Sequence, residues 1–123
     1  MAPLEGLRIF TVEDEAFIGL VLHDMLVDLG CRVIGTAITK SDALRMIETR
    51  RQEIDAVTLD INLGGENGQD VAALLSGFGI PFVVTTGYDD PIKLSGFEQH
   101  PIVYKPFMRE DLERALKALV MRT

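Results

Sequence analysis

The sequence predicts an α/β domain built on a parallel sheet with helices on both faces. Three observations carry that prediction. Five short runs rich in β-branched and aromatic residues alternate with segments of helical periodicity. The runs are apolar throughout, as strands covered on both sides must be. A chain of 123 residues with 47% hydrophobic and 25% charged residues has the size and composition of one globular domain. At that length a core forms without covalent staples, and residues 1–123 read as a single unit.

The first strand, Leu7-Arg8-Ile9-Phe10-Thr11-Val12, stops at three acids, Glu13-Asp14-Glu15. A helix follows, because Phe17, Ile18, Val21, Leu22, Met25, Leu26 and Leu29 recur at helical spacing and Gly30 stands where a helix would end. Leu20 and Val27 fall off that stripe and give the helix more apolar residues than one buried face needs. Arg32 to Ala37 is the second strand. Thr39-x-x-Asp42 resembles a capping box with Asp in place of Glu, and opens a helix through about Arg51. The third strand, Ala56-Val57-Thr58-Leu59, ends at Asp60. Leu63 to Gly68 is a loop, and Asp70 to Ser76 a short helix with Val71, Leu74 and Leu75 inward. Phe82-Val83-Val84-Thr85-Thr86 is the fourth strand, introduced by Pro81 and broken by Gly87. Asp89-Asp90-Pro91 starts a weak helix that has few residues before Gly96. Ile102-Val103-Tyr104 is the fifth strand, between Pro101 and Lys105-Pro106. The last helix runs from about Arg109 to Val120, with Leu112, Ala115, Leu116 and Leu119 on one face. Met108 cannot cap it, so Glu110 and Asp111 support its start through the helix dipole. These weak features make residues 89–100 the expected region of low stability.

Composition excludes several classes. Twelve Lys and Arg against 19 Asp and Glu give a net charge of −7. Such a surface repels nucleic acid and anionic membrane, so neither is expected as a direct partner. One cysteine, Cys31, forms no internal disulfide and gives no sign of an oxidising compartment. Met1 to Gly6 lacks the basic cluster and apolar run of a signal peptide. No apolar stretch reaches the ~18 residues that span a bilayer. The expectation is a cytoplasmic protein, monomeric or weakly dimeric.

In parallel α/β folds ligands collect at the carboxyl ends of the strands. Those ends carry Glu13-Asp14, Asp60, Thr86 and Lys105. Adjacent strands lie ~4.8 Å apart, so the acids of the first and third strands can meet. Two carboxylates ~4 Å apart repel by about 4 kcal/mol at an effective dielectric of ~20, so gathering three requires a cation. Oxygen ligands without His or Cys suit Mg²⁺. A carboxylate nucleophile, a divalent ion, a hydroxyl and an ammonium make a phosphoryl-transfer site. Singly, such acids also serve as helix caps; the joint pattern at four strand ends is what separates the two readings.

Val12-Glu13-Asp14-Glu15, Leu59-Asp60-Ile61-Asn62-Leu63, Thr85-Thr86-Gly87 and Tyr104-Lys105-Pro106-Phe107 together resemble the receiver domain of two-component response regulators. The resemblance covers the whole chain, and Gly68 also matches the family loop. It implies a flavodoxin-like (βα)₅ fold with strand order 2-1-3-4-5. It implies that Asp60 takes a phosphoryl group from a phosphohistidine on a sensor histidine kinase or histidine phosphotransfer protein, and that the chain catalyses this itself. Glu13, Asp14, Asp60 and the backbone carbonyl of Asn62 would hold Mg²⁺. Thr86 and Lys105 would bond phosphoryl oxygens, and a cis peptide would join Lys105 to Pro106. The new charge would then shift the chain toward a second conformation that signals to an unknown downstream protein. Pro81-Phe82 and Thr86-Gly87-Tyr88 are similar to the receiver subgroup called FAT GUY, although Thr85 and Val84 depart from its alanine and phenylalanine.

One departure concerns the switch. Most receivers carry an aromatic residue three positions before the lysine, and this chain has Ile102. Tyr104 reads as a packing or surface residue on the opposite strand face from Val103. Tyr88 could shield the phosphoryl group and, with Asn62, set its lifetime. Gly64-Gly65 lacks the lysine of a P-loop and reads as backbone flexibility beside Asp60. His23 and His100 read as surface residues without metal-ligand partners, Cys31 as a packing residue, and Glu15 as an early helix acid. Leu20 marks either loose helix packing or a docking face for the phosphodonor. No residues remain after the last helix for an output domain, which fits a stand-alone receiver or one excised from a larger regulator or hybrid kinase. A flavodoxin-like enzyme would need a Gly-rich anion-binding turn where this chain has three acids. A pseudo-receiver that only binds partners is the remaining rival.

Overall fold

The computed structural model describes residues 3–87, Phe97 and 99–121. Along them run β1 (Arg8–Val12), α1 (Ala16–Asp28), β2 (Arg32–Ala37) and α2 (Lys40–Arg50), the last continued by a 3₁₀ turn over Arg51–Glu53. Then come β3 (Ala56–Asp60), the short strands β4 (Asn62–Leu63) and β5 (Glu66–Asn67), α3 (Gln69–Phe78), β6 (Phe82–Gly87), β7 (Ile102–Lys105) and α4 (Arg109–Val120). The main sheet has the order β2-β1-β3-β6-β7 with every pair parallel. With the β4–β5 hairpin set aside, this is the expected 2-1-3-4-5 order of a flavodoxin-like receiver fold. The helix expected from Asp89, and Tyr88 with it, lie outside the described residues.

Alternation along the strands sends neighbouring residues to opposite faces and so builds two cores. Phe10, Val12, Val57, Leu59, Phe82 and Val84 join Ile47 of α2 and Leu75 of α3 on one face. Ile9, Ala56, Val83 and Val103 join Leu22 and Leu26 of α1 and Leu112 and Leu116 of α4 on the other. The N-cap half of the capping box at α2 is present, since Thr39 Oγ1 accepts from the Asp42 amide at 3.1 Å, while the Asp42 carboxylate accepts from Arg45 at 3.0 Å. Cys31 is buried, and burial pushes its thiol up to about 11, as suits a packing residue.

Three expectations need correction. Phe17 is not on the buried stripe of α1: it is 77% exposed, because Ile18, Leu22 and Leu26 already face the sheet and its own direction points outward. His100 is not a bare surface residue, since its ring stacks on Phe82 with centroids 4.1 Å apart. The Gly64-Gly65 pair is a defined turn. Both residues have positive φ, +62° and +89°, and they join β4 to β5 as a two-residue hairpin. That geometry demands left-handed backbone at both central positions, which glycine adopts without steric cost.

Candidate functional site

Strand register assembles the site. Val12 pairs with Leu59, Asp60 with Thr85, and Gly87 with Lys105, so the residues that close these strands converge at one end of the sheet. The Glu13 amide still bonds Ala37 O at 3.0 Å, which keeps Glu13 in the sheet's alternation. Glu13 and Asp60 are buried, at 1% and 2% exposure, and Asp14 is half-buried. One carboxylate oxygen from each lies within 4.8 Å of the others.

Lys105 sits among them. Its ammonium donates to Asp60 Oδ2 at 2.8 Å and lies 2.9 Å from Glu13 Oε1. The second approach is a charge contact without directed hydrogen-bond geometry, so Glu13 Oε1 stays buried without a hydrogen bond. Three of the four remaining oxygens are held by backbone. Asn62 N–H donates to Asp60 Oδ1 at 3.0 Å, Glu15 N–H to Glu13 Oε2 at 3.2 Å, and Gly64 N–H to Asp14 Oδ2 at 2.9 Å.

Three acids against one ammonium leave the cluster short of positive charge. Burial first, and the charge of Asp60 second, push the Glu13 carboxyl up to about 8. Burial also raises Asp60, against the hydrogen bonds from Lys105 and Asn62. Burial alone would lower Lys105, yet its hydrogen bond to Asp60 and the close negative charge of Glu13 hold the ammonium above its ordinary value. An orphaned buried oxygen within an all-oxygen donor set is what a small hard cation fits, so these residues suit Mg²⁺.

The other expected residues lie at graded distances along the strands. Thr86 is 2% exposed, one position past the Asp60 partner Thr85, and its hydroxyl donates to Gly87 O at 3.4 Å. Tyr104 is half-buried and pairs directly with Thr86. Ile102 pairs with Val84, two positions deeper, and packs into the core on the α2–α3 face. Pro106 is exposed, and its bond to Lys105 is cis. Glu15 is the exposed residue before α1 and stands outside the cluster.

Sequence reasoning missed two contributors. One is the Gly64 amide, which reaches Asp14 from 50 residues away. The other is Lys40, which pairs with Asp70 at 2.8 Å and Glu66 at 3.6 Å and so ties α2 to the hairpin and α3. A Gly-Gly pair between two short extended segments was the available signal for the hairpin.

A family model for the response regulator receiver domain matches residues 9–117. Among curated proteins, the chain is 34% identical over 113 residues to an uncharacterized transcriptional regulatory protein, YbdJ, of Bacillus subtilis, covering 89% of this chain and 48% of that protein. It is 34% identical over 105 residues to the phyllosphere-induced regulator PhyR of Methylorubrum extorquens, covering 81% and 38%. The chain thus spans less than half the length of the curated relatives it matches. Among solved structures, the solution structure of SdrG from Sphingomonas melonis Fr1 superposes with a TM-score of 0.82 at 40% identity, covering 97% of this chain and 98% of that one. Sheet order, clustered acids, bridging lysine and these likenesses agree: the chain belongs to the receiver domain family of the response regulators of two-component signalling.

Proposed function

We propose that the chain is one receiver domain over its whole length that takes a phosphoryl group from a phosphohistidine onto Asp60. The observation that carries this reading is the Lys105 ammonium, 2.8 Å from Asp60 Oδ2 inside the pocket shared with Glu13 and Asp14. In the transfer a carboxylate oxygen of Asp60 bonds phosphorus as the phosphorus–nitrogen bond of the donor breaks. The imidazole leaves with that electron pair and an acyl phosphate forms. Asp60 is already oriented by Lys105 and Asn62, so little reorganisation precedes attack. Lys105 remains beside the oxygens that carry the charge, and Thr86 at the end of β6 bonds another. Glu13, Asp14, Asp60 and the carbonyl of Asn62 would hold Mg²⁺, which supplies charge neutralisation for the incoming phosphoryl group. Because the chain itself supplies nucleophile and charge clamp, a small acyl phosphate can replace the protein donor.

The natural donor, a histidine kinase or phosphotransfer protein, would approach over the strand ends, where the Asp60 carboxylate meets Lys105. The rim there is apolar. An open groove of about 340 Å³ is lined by Phe17, Ile18, Val21, Pro106 and Phe107 with Lys105. Leu20 stands nearby on α1, 64% exposed. This surface suits a helical partner that presents its histidine toward Asp60.

The reading is tested by incubating the protein with Mg²⁺ and acetyl phosphate and measuring intact mass. One added phosphoryl group in the wild type, absent in Asp60→Asn, is the expected result. No addition in the wild type would turn the reading to a pseudo-receiver that signals by binding alone.

A further inference from the structure

The loop after β3 could serve only as a connection, yet its atoms reach back to the acidic cluster. Asp14 is the most exposed of the three clustered acids, and a side chain there has two torsions to fix before it can hold an ion in place. Among the described residues, the one hydrogen bond to its carboxylate comes from Gly64 N–H, at the tip of the β4–β5 hairpin. The tip is itself held on several sides. Gly65 N–H donates to Asn62 Oδ1 at 2.9 Å across the turn. Gly68 N–H bonds Ile61 O at 2.8 Å at the base, where a Cβ on Gly68 would come within 3.2 Å of Asp60 O. Lys40 then ties the far strand, through Glu66, and the start of α3, through Asp70, to the beginning of α2.

We propose that the β4–β5 hairpin is a positioning arm for Asp14, with Gly64 as the residue that orients its carboxylate toward Mg²⁺ and Lys40 as the tether that fixes the arm. This rests on the reading of Glu13, Asp14 and Asp60 as a magnesium site. Partners behind metal ligands typically change affinity 10- to 100-fold when removed. The Gly64 amide is a single bond to one of several ligands, so its loss belongs at the low end. Lys40 acts one step further away through partly exposed pairs, and its effect is smaller still.

The turn chemistry allows a test. Gly64→Pro with Gly65→Ser removes the amide that serves Asp14 and, because neither residue suits the left-handed backbone of this hairpin, loosens the arm as well. Gly64→Asn keeps both the left-handed backbone and the amide. Magnesium affinity is measured by titration calorimetry, and metal-free stability by urea unfolding. The expected result is affinity weakened about tenfold in the Pro-Ser variant and about threefold in Lys40→Met. Wild-type affinity is expected in Gly64→Asn and Lys40→Arg. A Pro-Ser variant that unfolds without metal would leave Lys40→Met against Lys40→Arg to decide. Without metal, the Gly64 amide resonance should differ between the wild type and Asp14→Ala, which lacks the acceptor. Wild-type binding with unchanged affinity in both the Pro-Ser and Lys40→Met variants would sink the arm and leave the site standing. Absence of magnesium binding in the wild type would remove both.

Discussion

Glu13 is a carboxylate kept where ionisation is costly. Its folded-state value, up to about 8, lies above the 4.5 of an unhindered glutamate, so between those values the folded chain holds a proton that the unfolded chain has lost. Stability from this group is therefore complete below about 4.5 and falls as pH rises toward about 8. Asp60, raised by the same burial, acts in the same direction, while Lys105 stays charged throughout that window. Urea unfolding in a chelator should show the metal-free protein losing stability across this range. Saturating Mg²⁺ should flatten the slope, because it favours the ionised cluster; equal slopes with and without metal would contradict the site. Lys105 supplies the second prediction at this scale. Removing one partner of a buried charge pair costs on the order of 3 kcal/mol, because the other is left uncompensated. Lys105→Met should destabilise the metal-free chain, and more at pH 8 than at pH 5.5, where the acids can take up protons instead. Its rise in melting temperature on adding Mg²⁺ should exceed that of the wild type. A pH-independent loss would mean that the lysine acts through packing alone.

At the scale of elements, the strands and helices whose apolar pattern is strong were readable from the chain. β2 and α4 begin and end at the expected residues, Arg32–Ala37 and Arg109–Val120. The cap of α2 could be read because it is local: Thr39 and Asp42 meet within one turn. Thr39→Ala should therefore cost about 1 kcal/mol, and Thr39→Ser should restore most of it; a thermal melt of the three proteins decides. The hairpin was not read, because strands of two residues carry no periodicity and only a turn signal. Lys40 was invisible for a related reason. Its partners Glu66 and Asp70 lie on later elements, and nothing along the chain says that the start of α2 stands beside them. Phe17 was misplaced because the helical period alone does not tell which margin of an apolar stripe turns outward. The acids and the lysine were legible for the opposite reason. Parallel strands deliver their carboxyl ends to one edge, so position after a strand is already position in space.

Considered whole, the molecule has a buried carboxylate, the proposed phosphoacceptor Asp60, and an apolar groove lined by Phe17, Ile18 and Phe107 next to its partner Lys105. A net charge of −7 makes approach of an acidic donor surface unfavourable in general, so a productive encounter needs contacts that outweigh repulsion. Phe17, 77% exposed, and Leu20, 64% exposed, are large apolar side chains that the fold leaves in water at its own cost. Phe17 lines the groove with Pro106 and Lys105, and Leu20 lines a second depression on the same helix, with Glu13, His23 and Ile38. Neither packs into a core, so changing them should leave the fold and the Asp60 cluster intact. Small donors and protein donors then become separable probes. Labelling by acetyl phosphate uses only the pocket, whereas transfer from a phosphorylated histidine protein uses pocket and rim together. Leu20→Glu should lower the rate of transfer from the protein donor at least tenfold, which corresponds to about 1.4 kcal/mol at the docking step, and Phe17→Ala should do so to a smaller extent. Acetyl phosphate labelling should be unchanged in both. If the two donors slowed together, α1 would be acting on the chemistry or on the fold, and the rim would lose its standing as the place where the donor binds.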